Sequence, residues 1–344
     1  VLADAIQFYH DLLSPQLAAD AQAHLDGQTK SRGMHFGPRP VCSVLRPRFL
    51  TPDQYRFLCR AVKRLTGAFA KIYQAGMTDP AFRRQFRLTP DEETLITYEP
   101  GFSDPSPTSR LDSFFVSEQE LKFTEYNSET PAGAGYNDIL TEMFWGSPAL
   151  AAFRRRYQVR PLPSRPHVLD ALLASFRQWA GNSSVPPKIA IIDWKEVPTY
   201  SEFLIFERFF RENGIECRIV DPAEIDYGHN CIRAGDFEFN LIYKRVLISE
   251  LLDRGGLQHP IIRAVRDGAC CFVNGFRCKL LFKKASFAVL SDERNARLLS
   301  DDERAAVRDH VPWTRVLEER KTEFAGRPID LVPFTLENKD RLVL

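Results

Sequence analysis

The chain carries no excess of charge: 46 basic residues against 45 acidic ones leave +1 over 344 residues. Neither nucleic acid nor an acidic membrane surface is therefore implied as a partner. No apolar run approaches the ~20 residues of a membrane helix, and the N-terminus lacks a signal-peptide pattern, so a soluble, cytoplasmic protein is expected. No Cys-x-x-Cys pair occurs among Cys42, Cys59, Cys217, Cys231, Cys270, Cys271 and Cys278, and their number is odd. A chain of this size needs no disulfide staples, so reduced core thiols are the expectation. The seven histidines are scattered, without His-Glu-x-x-His or close His/Cys spacing, which argues against zinc.

What is present is ample core material, 44% hydrophobic residues, enough for two domains or one large composite one. The most informative stretch is 109–127, SRLDSFFVSEQELKFTEYN. Folded as a hairpin turning at Ser117, Glu118, Gln119 and Glu120, it pairs Val116 with Leu121, Asp112 with Glu125 and Arg110 with Asn127. All four polar residues then share one face, because side chains alternate along a strand. Two carboxylates directly across a ladder repel unless something positive lies between them. Asp, Glu and Asn together suit a hard cation such as Mg²⁺ that also holds phosphate oxygens, and an adjacent arginine adds a fork matching a phosphoryl group. The plainer reading is the wet face of an exposed hairpin.

Around that stretch the pattern is mixed α/β. The first segment reads as helical through Ala5, Phe8, Leu12 and Leu13, and a Gly/Pro loop at 31–40 holds His35 and Arg39. An amphipathic helix over 51–76 has Tyr55, Leu58, Cys59, Val62, Leu65, Phe69 and Ile72 on its core stripe. Short helices are predicted at 79–86 and 89–95, with Arg83, Arg84 and Arg87 on a solvated face. After the hairpin, Pro131, Gly133 and Gly135 form a turn whose backbone N–H groups can meet an anion, and Asn137 and Asp138 are expected to cap a helix reaching about Trp145. RPLPSRP at 160–166 reads as a linker before a helix over 167–179. Then a buried strand at 188–194, a helix at 201–212 and a strand at 215–220 make a βαβ unit. Its first turn has no Gly-x-Gly-x-x-Gly, so a dinucleotide is excluded, although Asp193 and Glu196 lie at a strand C-terminal end where ligands bind. A hairpin is predicted in 231–246 with its turn at Ala234, Gly235 and Asp236, followed by Tyr243, Lys244 and Arg245 at a strand end, and another buried strand at 269–274. Lys283 and Lys284 open an apolar helix, where two cations oppose the macrodipole unless a phosphate is near. The charged stretch 301–324 reads as surface helices, and 336–344 runs into an apolar strand, RLVL.

The run R-x-D, then K-F-x-E-Y-N followed by S-E-T-P-A-G, resembles the circularly permuted ATP-grasp proteins, the group that includes glutathionylspermidine synthetase. The resemblance implies an α/β fold with α+β elements, a circularly permuted ATP-grasp fold with a Rossmann-like pre-ATP-grasp domain. Residues 1–165 would form a helical segment and the ATP-grasp part with the metal hairpin, 166–275 the Rossmann-like domain, and 276–344 the start of the second ATP-grasp part. It assigns Asp112, Glu125 and Asn127 to magnesium, Arg110 to the transferred phosphoryl group, and Lys283 or Lys284, with Lys279 a weaker candidate, to ATP. Thr130 and Gly133 beside the hairpin, and Arg245, are the substrate candidates. The cofactors implied are ATP and Mg²⁺, and the reaction is amide formation between a carboxylate and an amine, both small molecules or peptides, through an acyl phosphate. The alternative is a catalytically inactive binding module on the same scaffold. In the family a lysine and a glycine-rich loop follow a strand like RLVL, so the numbered chain, which starts on Val1, is expected to be part of a longer protein.

Overall fold

The computed structural model describes residues 2–343, and the chain divides into two compact units. One comprises Val1–Thr51, Thr94–Ser109 and Glu129–Arg277; the other comprises Pro52–Glu93, Arg110–Ser128 and Cys278–Leu344. Each unit thus draws on three separated stretches, where the sequence suggested contiguous ranges.

The first unit is organised by a four-stranded, all-parallel sheet of Glu216–Val220, Lys188–Ile192, Leu241–Lys244 and Cys271–Val273, in that spatial order. Ile189, Ala190, Ile191 and Ile192 are all buried, as expected of a strand covered on both faces. The helix Tyr200–Glu212 connects the first two strands in sequence and packs Phe203, Phe206 and Phe210 into the core with Leu169, Leu172 and Phe176 of the helix Arg165–Ala180. A three-stranded antiparallel meander, Ile225–Gly228, Cys231–Ala234 and Phe237–Glu238, precedes the third strand. The predicted hairpin turn after Ala234 is present, while Leu241–Lys244 joins the parallel sheet rather than the hairpin. Because the chain places its second strand on one side of Lys188–Ile192 and its third on the other, the order reverses there. Ligands of open α/β sheets bind beyond the strand ends at such a reversal.

A second core of this unit gathers Ala5, Tyr9, Ala21, Leu25, Met143, Phe144, Leu150 and Phe153. It is built from the helices Leu2–Leu12, Pro15–Ser31, Ala134–Trp145 and Pro148–Phe153. Asp138 does not cap the helix it belongs to. Lying inside Ala134–Trp145, its carboxylate accepts the backbone amides of Ser164 (2.7 Å) and Arg165 (2.9 Å), the start of the next long helix. Asp138 thus serves as a cap in trans for orphan N–H groups. Arg165 and Pro166, expected in a linker, are consequently helical.

In the second unit the helix Pro52–Thr78 buries Ala61, Leu65, Ala68, Phe69, Ile72, Tyr73 and Gly76. Tyr55 and Cys59 are exposed, so the apolar stripe begins a turn later than its sequence pattern suggests, and Cys59 is not a core thiol. Phe69 meets Tyr126 of the hairpin (4.7 Å between ring centroids) and Phe287 of the helix Ala285–Ser291 (5.3 Å). A Cβ on Gly76 would lie 2.6 Å from Leu280 and 2.9 Å from Phe86, so this contact requires glycine. Of the stretch expected as surface helices, only Asp301–His310 is helical; Lys321–Phe324 and Arg327–Asp330 form a small antiparallel hairpin. Of residues 336–344, expected to run into an apolar strand, 336–337 end the helix Leu331–Glu337 and Lys339–Arg341 form a 3-10 turn, while Leu344 lies outside the described residues. Among the described residues no helix is long and apolar enough to cross a membrane.

Candidate functional site

The strands Arg110–Ser117 and Glu120–Asn127 pair as an antiparallel hairpin. Arg110 lies opposite Asn127 and Asp112 opposite Glu125, the expected register at that end. The other end differs: Phe115 pairs with Leu121 and Ser117 with Glu120, leaving Val116 without a cross-strand partner. The slip caused by this extra residue is cancelled by another on the facing strand, Thr124, so two bulges restore the pairing at the mouth. Leu121, Phe123 and Tyr126 are buried, which sends Arg110, Asp112, Glu125 and Asn127 to the opposite, accessible face.

On that face Arg110 grips Asp112 with both arms of its fork, Nε to Oδ1 at 2.6 Å and Nη2 to Oδ2 at 3.0 Å. A positive group therefore relieves the repulsion that two facing carboxylates would otherwise suffer. The Asn127 side-chain nitrogen is buried without a hydrogen-bond partner, an uncompensated polar atom at the edge of the carboxylate pair. Two carboxylates and one amide oxygen fit Mg²⁺, which takes one or two carboxylates and completes its shell with water and substrate phosphate. Among the described residues no group of three or more His, Cys, Asp or Glu side chains could hold a metal ion. The hairpin offers a partial shell of the kind a phosphate-bridging ion uses.

The two lysines at the start of the helix Ala285–Ser291 have different environments. Lys283 is bound to Glu92 (2.5 Å) and to the Arg87 carbonyl (2.6 Å), and Lys279 approaches the same Glu92 at 3.3 Å. Burial works to raise the Glu92 pKa, but Lys283, the Thr89 amide and Lys279 outweigh it and hold the carboxyl below its ordinary range. The Lys283 charge is thus met inside the protein. Lys284 is exposed and donates to the carbonyl of Thr124 (2.7 Å), the residue the bulge releases from pairing. Its one charge faces a neutral acceptor beside Glu125, which makes it the lysine with charge left for a phosphate.

In the first unit the Gly-rich turn already has an anion, supplied by the protein. Gly133, with φ 106, and Gly135 donate their backbone N–H groups to Glu202 Oε1 at 2.7 and 2.9 Å. The other Glu202 oxygen binds Arg245 (3.0 Å), which also donates to the Tyr243 hydroxyl (3.1 Å). Glu202 and Arg245 are 0% and 4% exposed. Burial lowers the Arg245 pKa, yet Tyr243 and Glu202 more than compensate and raise it. A second buried pair, Lys244 and Glu129, lies at 3.6 Å, with Lys244 donating to the Glu129 carbonyl (3.1 Å) and the Ile248 amide donating to the Glu129 carboxylate (2.5 Å). Thr130 is half-buried between Glu129 and the turn. His35 contributes its backbone carbonyl to Ser201 (2.6 Å), while Arg39 and Glu196 are exposed.

Asp193 sits at the sheet's order reversal, 7% exposed. Burial pushes its carboxyl up to about 6, only partly offset by the Trp194 amide and Arg245. A carboxyl with a raised folded pKa adds stability that is full below about pH 4 and lost as pH rises through about 6. Asp193→Asn is therefore expected to be more stable than the parent by up to about 3 kcal/mol at pH 8 and equal to it at pH 4, as read by urea denaturation at both values.

Among solved structures, a glutathione synthetase-like effector from Globodera pallida in its apo form is similar to this chain. The likeness is one of fold. It has a TM-score of 0.52 at 12% identity and covers 96% of this chain and 79% of the effector. No family model matches the chain, and no curated protein matches it. The expected mixed α/β architecture with a parallel sheet is the one this chain adopts.

Glu202, Glu129 and Glu92, which pair with Arg245, Lys244 and Lys283, were not singled out by sequence. For Glu202 a signal existed: it lies one turn before Phe206 on the buried stripe of Tyr200–Glu212, and a carboxylate on an apolar face demands a partner. Glu92 gives no such signal, because its exposed-looking neighbours Asp91 and Glu93 mask it.

Proposed function

We propose that the protein is an ATP- and Mg²⁺-dependent carboxylate–amine ligase of the circularly permuted ATP-grasp type. The observation that carries this reading is the accessible hairpin face with Arg110, Asp112, Glu125 and Asn127 in cross-strand register and Lys284 tied to its bulge. Asp112, Glu125 and Asn127 would hold Mg²⁺, whose charge, when bound, neutralises phosphate oxygens. Arg110 is the group for the transferred phosphoryl: its fork, now on Asp112, matches a phosphate in the same bidentate manner. Lys284 seats the nucleotide, and Lys283 holds Glu92 in place. In the first unit, Glu202 and Arg245 keep the Gly133 turn rigid.

The reaction moves the γ-phosphoryl of ATP to a carboxylate oxygen and releases ADP. An amine then attacks the acyl carbon, phosphate leaves, and the amine loses its proton. Such chemistry asks the protein for position and charge rather than a covalent nucleophile. The substrates are small-molecule or peptide acids and amines in a reducing, cytoplasmic compartment, supported by cysteines that are all free. Hydroxylamine, as surrogate amine, tests the class: hydroxamate formed from a panel of acids only with ATP and Mg²⁺ is the expected result, and ADP release without any hydroxamate would count against ligation.

The lysines separate by variant. Lys284→Ala is expected to weaken ATP binding about tenfold at unchanged stability, and Lys283→Ala to destabilise the fold while leaving affinity within about twofold. The opposite pattern, measured by calorimetry and thermal melting, would reassign the nucleotide lysine to Lys283.

A non-catalytic module remains the second reading, favoured by the closure of the Arg110 fork on Asp112. On that reading ATP binds without turnover, or not at all.

A further inference from the structure

Asp193 follows the strand Lys188–Ile192, where the order of the parallel sheet reverses. The amides of Arg245 and Val246 both donate to the Ile192 carbonyl at 2.9 Å and hold the end of the neighbouring strand beside it. The Asp193 residue is only 7% exposed, yet its carboxylate accepts a single hydrogen bond, from the Trp194 amide to Oδ1 at 2.9 Å. Oδ2 has no partner among the described residues and is not sealed from solvent, so a ligand can reach it.

The cations nearby are engaged elsewhere. Arg245 binds Glu202 and the Tyr243 hydroxyl, Lys244 binds Glu129, and Lys195 is paired with Glu224. Glu250, whose charge acts on Asp193, accepts the Trp194 indole N–H (3.2 Å) and the Leu247 amide (3.3 Å) and forms no ion pair among the described residues. Arg254, one turn further along the helix Ile248–Gly255, lies over the Trp194 ring, 3.7 Å from its centroid, rather than on either carboxylate. Asp221, beyond the strand Glu216–Val220, accepts the Lys195 amide. Two anionic side chains, joined through Trp194, thus share one strand end without a counter-charge.

A buried carboxylate in that state costs stability at neutral pH, which is why Asp193→Asn is expected to be the more stable form. A charge kept there, at the point where open α/β sheets take their ligands, is arranged for a cation brought from outside.

We propose that Asp193, with the charge of Glu250 beside it, binds the ammonium group of a primary amine. The ammonium supplies what the pair lacks, a positive charge with N–H donors, one of which meets Oδ2. Trp194 already ties one oxygen of each carboxylate, so those left suffice for N–H donors and fall short of a metal ion's shell. The site is separate from the hairpin reading and holds whether or not the chain ligates.

Propylamine, protonated at about pH 7.5, is the probe, and the reporter is the Trp194 indole N–H in ¹H–¹⁵N spectra of the whole chain, assigned with Trp194→Phe. A saturable shift of that signal is expected, with propanol, the neutral isostere, at least about tenfold weaker. Asp193→Asn keeps the shape, removes the charge and should fold at least as well as the parent; it should weaken propylamine about tenfold or more. Glu196→Gln, at an exposed carboxylate on the loop that follows, should leave the affinity within about twofold. In the parent, lowering the pH from about 7.5 to about 5 should weaken binding about tenfold, because Asp193, which titrates at about 6, is then mostly protonated. Absent saturation at Trp194, equal binding of propanol, parental affinity in Asp193→Asn, an equal loss in Glu196→Gln, or displacement of propylamine by Mg²⁺ at matched ionic strength would each overturn the assignment.

Discussion

Glu202→Ala should lower folding stability by about 3–5 kcal/mol, the largest effect expected of any single substitution away from the hairpin. The carboxylate is fully buried and meets three donors at once: the Gly133 and Gly135 amides and the Arg245 guanidinium. Removing it leaves a buried arginine uncompensated and two turn amides without an acceptor. Breaking one side of such a pair costs far more than the pair contributes, because the surviving charge keeps its desolvation penalty. The double variant Glu202→Leu, Arg245→Met removes both charges and is expected to recover much of the loss. Urea denaturation of the parent, the single and the double variants separates these cases. A loss below about 1 kcal/mol for Glu202→Ala would show that water or a rearranged side chain takes over the carboxylate's role.

The second large effect is on turnover. Arg110→Ala is expected to reduce ATP-dependent product formation on the order of 10²- to 10³-fold, as loss of one preorganised electrostatic donor does elsewhere. Its pairing with Asp112 gives the prediction a second part. Once the fork is gone, Asp112 faces Glu125 across the ladder without a counter-charge, so the variant should bind Mg²⁺ at least as tightly as the parent while turning over more slowly. Arg110→Lys keeps the charge but not the bidentate geometry, and should fall between the two. Magnesium titrations followed by initial rates check both parts; a variant with parental turnover would remove Arg110 from the chemistry.

How far the sequence could be read follows from the range of the interactions involved. The parallel strands Lys188–Ile192 and Glu216–Val220 and the helix between them were legible, because continuous apolar runs and Phe spacing are local signals. The hairpin was legible for the same reason, including the pairing of Asp112 with Glu125. Its two bulges were not, since alternation alone does not reveal that Val116 and Thr124 drop out on opposite strands. Asp138 read as a cap by its position near a helix start, yet it caps a helix that begins 27 residues later, a contact that only the folded chain provides. The stretch after His310 shows the limit in another way: its charge pattern suits a surface helix, and it forms a hairpin under the Trp313, Phe324 and Phe334 ring cluster instead. The site itself was legible as residue types in register, whereas Glu92, the acid that neutralises Lys283, comes from a distant segment of the same unit.

The most direct test is calorimetric titration of ATP, with and without Mg²⁺, into the parent chain and into the Asp112→Asn, Glu125→Gln double variant. Binding that requires Mg²⁺ and disappears in the variant is the predicted result, and it would establish the hairpin face as a metal–nucleotide site. Parental, Mg²⁺-independent ATP binding in the double variant would contradict it and place the nucleotide elsewhere in the chain.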